Sequence, residues 1–370
     1  MRTIDPRTLL ERLEAAVDVE AAQQAEVLQL ASQRYESVGR LPLILSSVDD
    51  MSKEGTPFGD WPFFSYDQVF RDREAMLLSE LRNVYEWTLI GDDKVLVIRP
   101  NLGVGVVASV FGCEIVQKEG EMPWVRPLEG RRVDEVLERG VPGLDSPLLR
   151  RIRELVEFFR ESLRDYPKLT RCVHLGLADN QGPFNIVADV MGRDLFTELY
   201  DNPGRVERLL SLVTETYVKF TRTLKELCGE PNGLHYNFQY ALTAGTRVCE
   251  DSGLLISPEM YERFCKPYNE RIAAEFGGIV ILLCGETCHV LDRIVRTRGL
   301  RGLIYWSDKP QELKDVYKLC APRKVGIMWY NPVPETWLAE IPTGVVLKER
   351  VGSTEAARQR LERHHRVRHR

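Results

Sequence analysis

Residues 279–308 read IVILLCGETCHVLDRIVRTRGLRGLIYWSD. Two short apolar runs, Ile279–Leu283 and Leu303–Trp306, are each closed by polar residues and separated by a helical segment. Strand, helix and strand within about 30 residues make the repeating unit of a parallel sheet covered by helices. Outward from this unit the alternation continues. Val325–Trp329 and Val345–Leu347 read as further strands, and Val173–Leu177 and Leu234–Tyr240 precede it. Gly182-Pro183 opens one helix, Asn202-Pro203 another that runs to about Cys228, and Ser257-Pro258-Glu259 caps a third that Pro267 kinks. Earlier, Leu41–Ser46 (LPLILS) is a buried strand ending in Val48-Asp49-Asp50, and 94–116 reads as two extended segments broken by glycine. Ser146-Pro147 opens an amphipathic helix with Leu149, Ile152, Val156 and Phe159 on one face. No glycine-rich dinucleotide fingerprint follows any strand, which argues against a Rossmann sheet. The expected fold is α/β, a closed (β/α)8 TIM barrel over 39–350.

Two segments flank the barrel. Residues 1–38 form an N-terminal helical segment: Asp5-Pro6 gives a cap and a first-turn proline, and Leu9, Leu10, Leu13 and Val17 recur at helical spacing in one helix over 6–36. Residues 351–370 form a basic C-terminal tail, whose run Arg363–Arg370 reads as a solvated, disordered end. The stretch 52–66, rich in glycine, proline and aromatics, reads as a long loop of the kind that forms lids or substrate walls.

The chain has 370 residues, 44% of them hydrophobic, enough for a packed core and against a disordered protein. Fifty basic and 55 acidic residues leave a net charge of −5, too balanced to point to a nucleic-acid partner. No apolar run approaches the ~20 residues of a membrane span. The N-terminal MRTIDPRTLLERLEAAVDVEAA mixes charges with its leucines and does not read as a signal peptide, so the expected location is cytoplasmic. Eight cysteines form no C-x-x-C pair and read as reduced thiols; only Cys284 and Cys288, beside His289, are close enough to suggest a site.

Active sites of such barrels sit at the C-terminal ends of the strands. Asp49 and Asp50 follow the first apolar run, and Asp179, Asn180 and Gln181 follow Val173–Leu177. The 234–240 run carries Tyr236, Asn237, Gln239 and Tyr240, with Arg247, Glu250 and Asp251 beyond it. Cys284-Gly285-Glu286-Thr287-Cys288-His289, Trp306-Ser307-Asp308 and Trp329-Tyr330-Asn331-Pro332 close the later strands. Any one Asp, Asn or Ser here also reads as the N-cap of the next helix, but tyrosines, amides and an arginine are poor caps. Together they describe a polar, ring-lined pocket for a small molecule. Asp49, Asp50 and Asp251 are its candidate catalytic carboxylates. Asp179, Gln181, Tyr236, Asn237, Gln239, Arg247, Trp306 and Asn331 are candidate substrate contacts, Arg247 anchoring a carboxylate. Cys284, directly before a glycine at a strand end, reads either as a buried free thiol or as a ligand for a soft metal such as zinc, with Glu286 and His289 as further donors.

Several of these segments resemble the uroporphyrinogen decarboxylase superfamily. They are Gly182-Pro183-Phe184 through Gly192 with DLFTELYDNPGRVERLLSLVTE after it, Asp251 followed by Ile256-Ser257-Pro258 with Tyr261, Phe264 and Pro267, the Cys284-Gly285 strand end, and Asn331-Pro332. The resemblance covers about 170–335 and, more faintly, 41–50. It implies a (β/α)8 barrel and one of two activities. One branch decarboxylates uroporphyrinogen without a cofactor, using an N-terminal arginine-rich motif; here the first strand is followed by SSVDDMSKEG, with only Lys53 as a cation. The other branch holds zinc-dependent methyltransferases that pass methyl groups between a small methylated molecule and a corrinoid protein or thiol. Their strand end reads His-x-Cys-Gly, whereas Leu282 stands in the histidine place here, and no cysteine follows Pro332. The resemblance therefore favours a methyltransferase-type enzyme, with a metal site rebuilt around Cys284 or with none. Cofactor-independent decarboxylation, with Asp49 or Asp50 stabilising a protonated intermediate, is the alternative, and a non-catalytic binding barrel the third reading. A corrinoid protein and a homodimer partner are both compatible with it.

Overall fold

The computed structural model describes residues 5–47, 61–118, 120–128, 130–285, 287, 289–306, 312–338 and 340–366. Asp49, Asp50, Lys53, Glu286, Cys288, Ser307 and Asp308 lie outside the described residues, as does most of the 52–66 loop. Twelve strands run in chain order among the described residues. They are β1 Leu43–Ser47, β2 Leu96–Ile98, β3 Glu114–Val116, β4 Trp124–Arg126, β5 Val173–Leu175, β6 His235–Asn237, β7 Tyr240–Leu242, β8 Thr246–Cys249, β9 Ile279–Cys284, β10 Leu300–Trp306, β11 Gly326–Tyr330 and β12 Val345–Val351. Six form one parallel sheet in the order β1-β12-β11-β10-β9-β8, β2 pairs with β5 in parallel, and β3–β4 and β6–β7 are antiparallel pairs.

The six-stranded sheet is buried on both faces, as a parallel sheet between helical layers requires. Alternate residues separate the two. Ile44, Val280, Ile304, Met328 and Val346 pack on the inner face with Tyr240, Leu242 and Ala244 of the hairpin region, and Leu282 joins them. Leu43, Leu45, Ile281, Leu283, Leu303, Ile327, Val345 and Leu347 point outward into the main core beneath the helices.

Four local expectations are corrected. The single helix over 6–36 is two, Pro6–Ala16 and Val19–Gln33, because the Asp18 carboxylate accepts from the Ala21 amide at 3.0 Å and starts a second helix. Within 94–116, a short helix Val106–Val110 separates β2 from β3. The run 234–240 is not one parallel strand but β6, a turn and the first residue of β7, an antiparallel hairpin, and the parallel strand beside β9 is Thr246–Cys249. The basic tail is ordered as a helix over Thr354–Arg366. There Arg360 makes a buried bidentate pair with Glu349 at 2.8 and 2.7 Å, and the His364 ring meets the Leu41 carbonyl at 2.8 Å. The proline kink holds: Pro258–Phe264 and Lys266–Phe276 meet at Cys265. Among the described residues no helix is long and apolar enough to cross a membrane.

The free edge of β1 is closed by side chains. Its alternate amides at Leu43, Leu45 and Ser47 donate to the carboxylates of Asp93 (2.8 Å), Asp92 (2.6 Å) and Glu86 (2.8 Å). Lys94, fully buried, lies 3.0 Å from both Glu86 and Asp92 and also donates to the Leu45 carbonyl. Burial opposes its charge, but Asp92 and Glu86 outweigh that and raise its pKa. Removing one partner from a buried charge cluster costs about 3–5 kcal/mol, because the other charges stay buried and unpaired. Lys94→Met should lower unfolding free energy by about that amount in urea titration; a loss under about 1 kcal/mol, the scale of a surface pair, would show the seam to be unimportant.

Candidate functional site at the C-terminal strand edge

Register decides which side chains meet at this edge. Cys284 pairs with Trp306, Trp306 with Tyr330, Tyr330 with Lys348, and Lys348 with Ile44. Two residues earlier on the middle strands stand Leu282, Ile304, Met328 and Val346, all on the inner face. With a side-chain period of two, Cys284, Trp306, Tyr330 and Lys348 form the next inward layer, and Arg350 and Ser46 the one beyond. On the other flank Cys249 pairs with Leu282 and Arg247 with Val280, so both also face inward.

Three charges dominate the β2–β5–β8 side. Arg99, directly after β2, lies 2.5 Å from one Asp179 oxygen, and Arg247 on β8 lies 3.0 Å from the other. All three are buried. Burial alone would push the Asp179 carboxyl up; Arg99 first and Arg247 second outweigh it and hold the pKa below the usual range. Phe238 covers both guanidiniums, its ring centroid 5.1 Å from Arg99 and 5.6 Å from Arg247, and does so at φ +53°. A non-glycine residue in the left-handed region costs roughly 1–2 kcal/mol, so the surroundings enforce this placement. Nε of Arg247, Oδ1 of Asn180 and Oδ1 of Asn237 are buried with no hydrogen-bond partner among the described residues. Such atoms are costly unless a ligand or water meets them.

Between the two sides lies a thiol–carboxylate group. Asp251 accepts the Cys284 amide at 3.2 Å and the Cys249 thiol at 3.2 Å. Burial and the Asp251 carboxylate push the exposed Cys284 thiol up to about 12, so it is protonated at neutral pH. Of the zinc set expected around Cys284, Glu286 lies outside the described residues. His289 directs Nε2 to the Ile256 carbonyl at 3.2 Å, and Leu282, in the family's histidine place, packs on the inner apolar cluster. Among the described residues no group of three His, Cys, Asp or Glu side chains is placed to hold a metal ion.

The other predicted site residues divide. Gln181 faces Asn185, accepting its amide at 2.9 Å, and Asn185 in turn accepts the Ser252 amide at 2.8 Å, which ties the start of one helix to the Asp251 turn. Tyr236 turns from the edge: its ring stacks on His174 at 3.8 Å and its hydroxyl donates to Glu26 on the second N-terminal helix at 2.8 Å. Gln239 accepts from Lys348 Nζ at 2.5 Å. Trp306 is 41% exposed and packs on Tyr330 at 4.6 Å, with the Arg350 guanidinium over both rings. Asn331 stands at φ +146°, its amide donating to the Lys348 carbonyl at 2.8 Å. Arg99, Lys348 and Arg350 were not expected from the sequence. The surface cleft lined by Arg71, Arg73, Arg150 and Arg151 shares no residue with this edge.

Asp179 carries a pH signature. A carboxyl whose folded pKa is depressed contributes stability that is complete above its unfolded value of about 4 and is lost as pH falls through the lower folded value. In wild-type protein the urea midpoint should therefore drop below about pH 4. Asp179→Asn should be less stable by roughly 3–5 kcal/mol at pH 7, with Arg247 left without its ion-pair partner and Arg99 left with Glu80 alone, and should show a flatter acid limb. Identical acid limbs in the two proteins would show that Asp179 is not held by these arginines.

No protein-family model and no curated protein matches this chain. Among solved structures it is similar to a methyltransferase from Methanosarcina mazei, at 16% sequence identity and a TM-score of 0.62, over 92% of this chain and 98% of that one. At that identity the likeness is one of fold: the α/β arrangement with a parallel sheet under helices is shared along almost the whole of both chains.

Proposed function

We propose that the two parallel sheets form one (β/α)8 barrel and that the chain is a methyltransferase-type enzyme. On this reading β1, β2, β5 and β8–β12 are the eight staves. The β1–β2 seam is bridged by Asp92, Asp93 and Lys94, and the segment after β5 reaches β8 through the Gly182 amide, which donates to the Cys249 carbonyl at 2.9 Å. The substrate is a small methylated carboxylic acid, and the methyl acceptor a corrinoid protein or a thiol.

The observation that carries this reading is the Arg99–Asp179–Arg247 group under Phe238, on a fold shared with a methyltransferase. The two guanidiniums share Asp179, and Arg99 also has the Glu80 carboxyl beside it, so Arg247 is the one with a donor to spare for an anion. Arg247 Nε, buried without a partner among the described residues, is the donor that a substrate carboxylate would meet. The Trp306 and Tyr330 rings offer an apolar wall for the methylated part.

Purified protein should be incubated with free cob(I)alamin and a panel of methoxylated aromatic acids and N- or S-methylated small acids. Methylcobalamin formation, followed by absorbance, is the expected result. Arg247→Ala should raise KM about 10- to 100-fold, the worth of one hydrogen bond to a charged group, with a smaller effect on kcat. No methylcobalamin from any acid, and no methylated thiol when a thiol replaces the cobalamin, would overturn the proposal. The same guanidinium pair supports a second reading, decarboxylation of an acidic substrate, because it supplies cations that the segment after the first strand lacks. Carbon dioxide released from a porphyrinogen or smaller acid, without methyl transfer, would mark that reaction.

A further inference from the structure

Lys348 is a titratable group at the strand edge that neither reading uses. It lies on β12 in the inward layer with Tyr330 and Trp306, 9% exposed. Its Nζ donates to Gln239 Oε1 at 2.5 Å and sits over two rings, 5.1 Å from the Tyr330 centroid and 5.8 Å from Tyr240. Among the described residues no carboxylate lies within ion-pair distance of it. The nearby acids are engaged: Glu86 and Asp92 are both held by Lys94. A buried ammonium without a counter-ion is among the most costly groups a protein interior can hold, and the usual outcome is a neutral amine. Two residues on, Arg350 faces the same way and lays its guanidinium across Trp306 and Tyr330.

We propose that Lys348 is a nucleophilic amine that captures a small oxo acid as an imine, with Arg350 holding the acid's carboxylate. In the step, the Nζ lone pair attacks the carbonyl carbon and the carbonyl oxygen takes up a proton, giving a carbinolamine. The nitrogen loses a proton, the hydroxyl leaves as water after protonation, and a carbon–nitrogen double bond remains. No oxidant or reductant is needed. The electrostatics agree with the geometry. Burial first, then the Lys94 cation, lower the Lys348 pKa to about 7; Arg350 acts in the same direction, while Glu86 and Asp92 oppose it. Tyr330 and Tyr240, the remaining titratable neighbours, present ring faces to the amine. At pH 7 roughly half of such an amine is uncharged, against about one part in 2,500 for a surface lysine at pKa 10.4, a difference of about a thousandfold.

The test is reductive trapping of the full-length protein with glyoxylate and cyanoborohydride at pH 7, with the labelled lysine located by peptide mass spectrometry. Hydride from the reagent converts the imine to a stable carboxymethyl-lysine. Lys348 should be labelled first and at least tenfold faster than any other lysine, with a rate that rises through a midpoint near pH 7. Lys348→Met should lose the fast phase, and Arg350→Gln should slow glyoxylate labelling more than labelling by uncharged formaldehyde. The wild-type map stands on its own if the methionine variant does not fold. Labelling of Lys348 no faster than surface lysines would overturn the proposal, as would a fast phase that survives in Lys348→Met. Methyl transfer is read separately by methylcobalamin, so the two proposals stand or fall independently.

Discussion

The free edge of β1 imposes the constraint on which this structure depends. A parallel strand with one neighbour still has a row of amides that must be satisfied, and in a buried location water cannot do it. Here the β1 amides at 43, 45 and 47 find carboxylates rather than a strand. Three acids in one seam would repel, so Lys94 sits among them with no exposure at all. Two consequences follow. The adjacent Asp92 and Asp93 meet alternate β1 amides, so the segment leading into β2 is held against the β1 edge, and a one-residue slip would turn every amide away from its acceptor. A permanent positive charge is also locked near the inner face, and it is one of the forces that strip Lys348 of its proton.

Much of the architecture is written in local patterns. Short apolar runs closed by polar residues marked β1, β5 and β9 to β12, because a strand buried on both faces has to be apolar throughout. The pattern failed where burial is achieved differently. Thr246–Cys249, TRVC, is too short and too polar to read as a core strand, yet Arg247 is accommodated because Asp179 lies opposite. Leu234–Tyr240 holds the strand β6, but its partner is β7, which begins at Tyr240, and Gln29 and Gln33 of the second N-terminal helix cap that hairpin's backbone. Such long-range partners leave no trace in a local window. The C-terminal helix is a similar case: its basic composition suggests solvent, and only Glu349 on β12 explains why Arg360 is buried.

The site was legible in part for the same reason. Asking which residues follow each strand found Asp179, Arg247, Asp251 and Cys284, all of which meet at the edge. Arg99 escaped although it directly follows the run VLVI, because 94–116 was read as extended chain without a defined end. Lys348 and Arg350 escaped because β12 was ended at Leu347; continuing it two turns of the pleat places both on the inner face, in step with Val346. The signal was present in the sequence VVLKERV, where charge alternates with period two in what begins as a core strand.

The two flanks of the edge now differ in electrical character. On the β2–β5–β8 side charge is fixed by ion pairs: two guanidiniums share the Asp179 carboxylate and hold its pKa below the usual range. On the β10–β12 side charge is adjustable, because the amine there lies among rings and an amide and its proton is held weakly. Asp251 stands between the two with its thiols. A fixed cationic flank orients an anion without changing its own state, whereas a group that exchanges its proton near pH 7 is suited to bond-making. On the two proposals each flank then has its own guanidinium for an anion, Arg247 on the side set by ion pairs and Arg350 beside the amine.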